Sequence, residues 1–467
     1  MKMWSGRFRQ PLDPDFERWQ RSFNFDRRLL SYELAASSAH ARALKNAGVL
    51  SSDELIHILQ GLKQIGEKAA TSPTFLEDDE AEDVHHFVEK QLAALIGDTG
   101  YKLHSGRSRN EQIATDLRLF VRANIDQLRH DLADLCSVFV DRDEQSGDAA
   151  MPAYTHLQRA EPVLVAHWLM AYVEMFLRDA DRLADCRKRL NVCPLGSGAV
   201  AGATLPLDRA FLASTLEFDA PTANSIDATS DRDFAIEFVN ALSLLAMHLS
   251  RWAEEMILFS SQEYGFVSLP EAYSTGSSAM PQKKNPDLLE LVRGKCGRVV
   301  GHVNALTVTL KGLPLAYNKD LQETQEPLFA ASDAILQMLP LVTGWMKNVE
   351  FNFDEMLQAA HSGFMNAWAA ATYLVQRGVA SRMSHECVGK AVRLCIEKGC
   401  ELQDLSLDEL QSLNPAFDRD FYEAMTLASV LSIHNVPGGT APVRVREAIA
   451  AAKKQIASLR EEIHAHA

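Results

Sequence analysis

A chain of 467 residues is too long for one ordinary core, and 47% hydrophobic with 23% charged content is that of a globular protein of two or three domains. A net charge of −15 argues against nucleic acid and anionic membrane surfaces as partners, so an anionic ligand must be held by local cations. Seven scattered cysteines without a CxxC pair suggest free thiols in a reducing cytoplasm, the N-terminus lacks an apolar signal core, and no run approaches the roughly 20 apolar residues of a membrane span.

Residues 1–106 read as short helices and loops. An amphipathic run opens at Phe25 and stops at Gly48. Ser51-Ser52-Asp53-Glu54 then reads as a capping box. The acidic run Glu77 to Glu89 carries His85 and His86 and reads as a solvated helix start rather than a metal site, because adjacent histidines do not share a helix face.

Three windows free of glycine and proline follow, Arg107–Ser146, Val163–Cys193 and Thr222–Tyr264. Leu117, Phe120, Val121, Ile125 and Leu128 mark one helical stripe, and Phe234, Phe238, Ala241, Leu242, Leu245 and Leu249 another. Helices of this length predict an extended bundle whose leftover apolar faces bury against partner subunits. Asp287–Leu310 supplies a further helix, with Gly294, Gly297 and Gly301 as close-packing points. No convincing strand ladder appears. After about Met356 the pattern shortens, with a second capping box at Ser406–Glu409, a turn-rich loop at Pro437–Pro442 and a packing helix from Val443 onward. The expected domains are 1–106, 107–355 and 356–467.

Three stretches carry chemistry. His104-Ser105-Gly106-Arg107-Ser108-Arg109-Asn110-Glu111-Gln112 lies where a long helix begins. Free N–H groups with guanidinium and hydroxyl groups beside them suit a carboxylate, and a capped, exposed basic turn fits the same residues equally. Thr155-His156-Leu157-Gln158-Arg159-Ala160-Glu161-Pro162 gathers a hydroxyl, an imidazole and an amide. Gly276-Ser277-Ser278-Ala279-Met280-Pro281-Gln282-Lys283-Lys284-Asn285-Pro286 is free at its glycine end and stiff at its prolines, as suits a closing loop. An HExxH, a spaced Cys/His cluster, a P-loop, a dinucleotide fingerprint and a GxSxG elbow are all missing, so neither metal nor cofactor is expected.

Together these stretches resemble the three shared segments of the fumarase/aspartase/argininosuccinate lyase superfamily, in the expected order and over essentially the whole chain. Gln282-Lys283-Lys284 after Met280-Pro281, Trp4–Phe8, Asn224–Phe234, Tyr317–Glu323 and the Gly438–Pro442 loop resemble its argininosuccinate-cleaving branch. The resemblance implies an all-α, three-domain subunit with a long central helical bundle, assembled as a bundle of twenty helices in a homotetramer. It implies sites shared between subunits and reversible β-elimination of argininosuccinate to arginine and fumarate in the cytoplasm, the last step of arginine biosynthesis.

The resemblance also implies roles. Ser277 is the base that takes the Cβ proton, with Ser278 as the adjacent alternative, and Lys283 and loop N–H groups stabilise its alkoxide. Lys283 and Asn285 match a carboxylate-binding loop, and His156 pairs with Glu290. Ser22, Asn110, Thr155, Tyr317 and Gln322 bind substrate, and Ser108 and Arg109 hold a succinyl carboxylate. Arg232 is a further candidate beside an ordinary ion pair with Asp231 or Asp233. Gln325 stands where the family has a substrate-holding lysine, Ser5 replaces a glycine, and Ser105 and Glu111 are conservative changes. Two alternatives remain, another fumarate-releasing lyase such as one acting on adenylosuccinate, and a catalytically idle relative of crystallin type.

Overall fold

Each long window free of glycine and proline carries a long helix in the computed structural model, which describes residues 10–465. The Trp4–Phe8 segment, with Ser5, lies outside the described residues. After two short helical turns at Pro14–Trp19 and Phe23–Asp26 come α1 (Leu30–Asn46), α2 (Ser52–Thr71) and α3 (Val84–Ile96). The predicted capping box opens α2: the Glu54 N–H donates to Ser51 Oγ at 3.1 Å, and the Ser51 N–H to the Glu54 carboxylate at 2.9 Å. Helix α4 (Arg109–Ser146) fills the first window, α5 (Val165–Leu190) the second, and α6 (Asp233–Phe259) most of the third. Then follow α7 (Asp287–Leu310), α8 (Gln325–Asn348) and the closing α9 (Pro442–Ala465). The fold is all-α, with only short antiparallel or parallel strand pairs beside the helices.

Contacts divide the chain into two compact units, and every passage between them falls inside one of α4 to α8. The first holds residues up to Gln127, Arg182–Ser243 and Arg298–Ala334. Its core includes Leu29, Ile58, Phe87, Leu117 and Phe238. Arg28 lies 4.7 Å from the Phe329 ring and 5.3 Å from that of Phe120 while pairing with Asp333, so apolar and charged contacts share one side chain.

The second unit holds Leu128–Asp181, Leu244–Gly297 and residues from Ile335 on. Phe139, Trp252 and Trp345 stack edge to face in its core, with Trp252 and Trp345 centroids 5.1 Å apart. Helix α9 buries Val445, Ile449, Ala452, Ile456, Leu459 and Ile463 at helical spacing. Its opposite charges pair with the second half of α4, Lys453 with Glu144 and Arg460 with Asp134. The Lys319–Asn348 segment is long and apolar enough to cross a membrane by composition alone, but 56% of its apolar window is buried within the protein, as for a core helix.

Two expectations need correction. A strand ladder does exist: β1 (Ala150–Thr155) pairs antiparallel with β2 (Gln158–Leu164). Pro152 faces Pro162 across it, so each strand carries the residue that most strongly argues against strand. Gly294, Gly297 and Gly301 are not close-packing points within the chain. A Cβ at any of them would meet open space among the described residues, and Leu291, Val300 and Val308 on the same helix are exposed.

Asp143 on α4 is 1% exposed, and neither carboxyl oxygen has a hydrogen-bond partner. Burial, with Glu144 adding to it, pushes this carboxyl up to about 9. A raised folded value means that the stability it contributes is complete below the ordinary aspartate range and lost as pH rises toward 9. Asp143→Asn should remove that loss. Against the unaltered chain, its unfolding free energy from denaturant titration is expected to gain steadily from about pH 5 to about pH 9, by a few kcal/mol at the top.

Candidate active site

The first stretch caps α4. The Asn110 N–H donates to Ser108 Oγ at 3.3 Å, and the Ser108 N–H to Glu111 Oε1 at 3.0 Å, a reciprocal cap at the helix start. Glu111 is fully buried, and its Oε2 also takes the Gly198 N–H at 2.9 Å. The two arginines diverge. Arg107 turns inward, donating to Ser37 Oγ at 2.9 Å with Nη2 3.5 Å from Glu33. Arg109 pairs with Asp83 at 3.2 Å.

A cavity of about 820 Å³ in the first unit gathers six of the predicted residues, Ser22, Arg109, Asn110, Tyr317, Gln322 and Gln325. Ser22 Oγ donates to Asp26 Oδ2 at 2.6 Å, and Gln322 Nε2 to the Gln20 carbonyl at 3.1 Å. Gln325 is 4% exposed, and its Oε1 has no partner. Burial raises the Tyr317 hydroxyl, opposed by the nearby Arg232 guanidinium. Of the two readings of Arg232, the ordinary ion pair with Asp231 or Asp233 does not form among the described residues. Arg118 takes Asp231 instead, and Arg232 keeps only the Asp231 carbonyl, with Nε and Nη2 buried and unpartnered. Ser108 does not line the cavity, since its hydroxyl serves the helix cap.

The remaining candidates belong to the second unit. His156 and Leu157 form the two-residue turn between β1 and β2, with φ of 56° and 57°. A primed hairpin turn needs this left-handed backbone, normally given by Asn-Gly, so bulkier residues here are strained. Thr155, His156 and Leu157 are all exposed. In the third stretch β3 (Thr275–Gly276) pairs with β4 (Lys284–Asn285), closing the segment between them into a hairpin loop. Within it Ser277 Oγ accepts the N–H groups of Ala279 at 3.3 Å and Met280 at 3.1 Å. Asn285 Nδ2 donates to Thr275 Oγ1, which donates to Asp287. Lys283 and Glu290 are exposed. Among the described residues neither His156 nor Glu290 has an ion-pair partner.

Residues outside the predicted set also line the cavity, notably Asp26, Asp83, His85 and Lys319. His85 corrects the solvated reading of the acidic run: it is 3% exposed and bonded to Asp116 at 3.0 Å. Glu33, His85 and Asp116 place possible ligand atoms within 4.8 Å of one another, among the described residues. The Ser22–Asp26 spacing of one helical turn was a usable signal. The partners of His85 are remote in sequence and gave none.

Residues 6–301 match a family profile described as lyase, and residues 364–432 one described as argininosuccinate lyase C-terminal. The argininosuccinate lyase of Koribacter versatilis is 59% identical over 467 residues, covering 100% of both chains. That of Acidobacterium capsulatum is 60% identical over 464 residues, 98% of this chain and 96% of its own. Among solved structures, EDDS lyase in complex with formate superposes with a TM-score of 0.84 at 27% identity, covering 98% of this chain and 93% of its own. A class II fumarase from Schistosoma mansoni, at 16% identity and TM-score 0.73 over 85% of this chain and 89% of its own, shares the fold.

Glu111→Ala would strand two N–H groups, of Ser108 and Gly198. The expected cost is about 2–4 kcal/mol, read as a lower denaturation midpoint, with Glu111→Gln losing less.

Proposed function

The chain belongs to the argininosuccinate lyase family, and from that membership we propose how its residues cleave argininosuccinate to arginine and fumarate. The observation that carries the reading is the cavity lined by Ser22, Arg109, Asn110, Tyr317, Gln322 and Gln325. Its wall mixes cations such as Arg109 and Lys319 with acids such as Glu82 and Asp83, which suits a substrate bearing carboxylates, an ammonium and a guanidinium together. Arg109 receives a succinyl carboxylate. Asn110, Tyr317, Gln322 and Ser22 orient the arginine portion by hydrogen bonds, and Thr155 closes over it.

The chemical difficulty is a weakly acidic Cβ proton whose removal adds negative charge to the neighbouring carboxylate. Ser277 takes that proton. Two N–H groups already point at its oxygen and stabilise the alkoxide form, which an isolated hydroxyl could not reach. Lys283 and Asn285 hold the carboxylate on which charge accumulates. His156, oriented by Glu290 of a neighbouring subunit, protonates the departing guanidine nitrogen or steadies a carboxylate.

These candidates act across a homotetramer, so that one subunit's cavity is completed by loops of its neighbours. The exposed apolar face of α7, with Leu291, Val300, Val308 and three open glycines, supports such an assembly. The enzyme acts in the cytoplasm, without metal, cofactor, nucleic acid or membrane, and keeps a three-domain subunit.

Fumarate release, followed by ultraviolet absorbance, is expected from argininosuccinate and not from adenylosuccinate. Ser277→Ala should lower kcat at least about a thousandfold with KM little changed. Release from adenylosuccinate alone would refute the substrate, and a tetramer inactive on both would support the crystallin-type alternative. Gln325→Lys should lower KM about tenfold by adding a cation at the cavity wall.

A further inference from the structure

The cavity wall at the start of α3 also holds His85, to which the roles above assign nothing. Three carboxylates face His85 from three elements: Glu33 of α1, Asp83 at the start of α3 and Asp116 of α4. His85 Nε2 lies 3.0 Å from Asp116 Oδ2 and 3.8 Å from Glu33 Oε2, and Nδ1 lies 3.7 Å from Asp83 Oδ1. Asp83 then holds Arg109 Nε at 3.2 Å.

The other charged groups at this cluster are few. Arg107 sits 3.5 Å from Glu33, and Asp26 accepts the Val84 N–H and the Ser22 hydroxyl. His104 and His86 stand nearby, both lowered by burial, His104 to about 4 with Arg107 and Arg109 adding to it and His86 with Arg109 adding to it. Glu33, Asp83, Asp116 and Asp26 are four carboxyl groups against two guanidinium groups, Arg107 and Arg109, and burial raises both Asp116 and Asp26. A neutral imidazole would leave this buried cluster with still less positive charge against its carboxylates, a costly arrangement. Burial opposes charging of His85, yet its contacts with Asp116, Asp83 and Glu33 outweigh burial and hold it at about 10. The same atoms could ligate a metal, but His85 Nε2 is already engaged with Asp116 at 3.0 Å and Arg107 stands against Glu33.

We propose that His85 is a positioning residue: Glu33 and Asp116 hold it as an imidazolium, it anchors Asp83, and Asp83 fixes Arg109 at the cavity wall. The proposal rests on the reading that Arg109 receives a substrate carboxylate. It assigns no contact with substrate to His85 itself.

The test is a double-mutant cycle on fumarate release from argininosuccinate by the full-length chain. His85→Gln is expected to raise KM about tenfold and change kcat less than about threefold. In an Arg109→Ala background the same change should add nothing, because the group it positions is gone. If the two effects on KM multiply, or if His85→Gln lowers kcat instead, the proposal is overturned. If Arg109→Ala alone leaves KM unchanged, the role of Arg109 falls and the proposal with it. Should His85→Gln not fold, Asp116→Asn takes its place in the cycle, with a smaller rise in KM expected. Independently, the ring nitrogens of His85 in the unaltered chain should show imidazolium chemical shifts at pH 8, and a neutral ring there would overturn the proposal.

Discussion

Buried anions must be matched by buried cations, and the cavity wall depends on that balance. The cap of α3 and the start of α4 place Asp83, Asp116, Arg107 and Arg109 in one region, with Glu33 facing them from α1. None of these groups could sit there alone, since an isolated buried charge would neutralise or drag in water. Paired, they turn two helix ends into a rigid, charged wall. The specificity of such a wall comes from its geometry, because the charges cannot relax by turning to solvent.

The chemistry divides into two kinds of environment. Residues that would grip a substrate are buried or half-buried around one cavity, with the Ser22 hydroxyl and the Gln322 amide already engaged by neighbours. Residues that would move protons sit on exposed turns, His156 on a strained hairpin and Ser277 in a short loop. Binding favours preorganisation, while a closing loop must exchange solvent for substrate in each turnover. Ser277 reconciles these demands locally, since Ala279 and Met280 orient their N–H groups at its oxygen within the loop itself.

Much of the fold was legible because long helices announce themselves by the absence of glycine and proline. The capping boxes at Ser51 and Ser406 were equally plain, since both partners lie within one turn. The hairpin at Ala150–Leu164 was hidden by its two prolines. The cavity residues Ser22, Asn110, Tyr317, Gln322 and Gln325 came from family resemblance, and no local pattern would have collected them from three separate segments. His85 shows the deeper limit. Whether an acidic, histidine-bearing run is solvated or buried depends on Glu33 and Asp116, which chain order does not bring near. The ion pair that was one of two readings of Arg232 went to Arg118 for the same reason.

The facing prolines of the hairpin bear on how it survives in solution. Directly opposed residues that exchange no hydrogen bond point their backbone groups outward, away from the partner strand. Pro152 and Pro162 hold such a position, so each outer margin of the ribbon lacks a donor at its middle. A foreign strand laid along either margin would find the ladder interrupted. The ribbon can therefore carry an exposed imidazole at its tip while refusing the edge-to-edge growth to which bare two-stranded ribbons are prone.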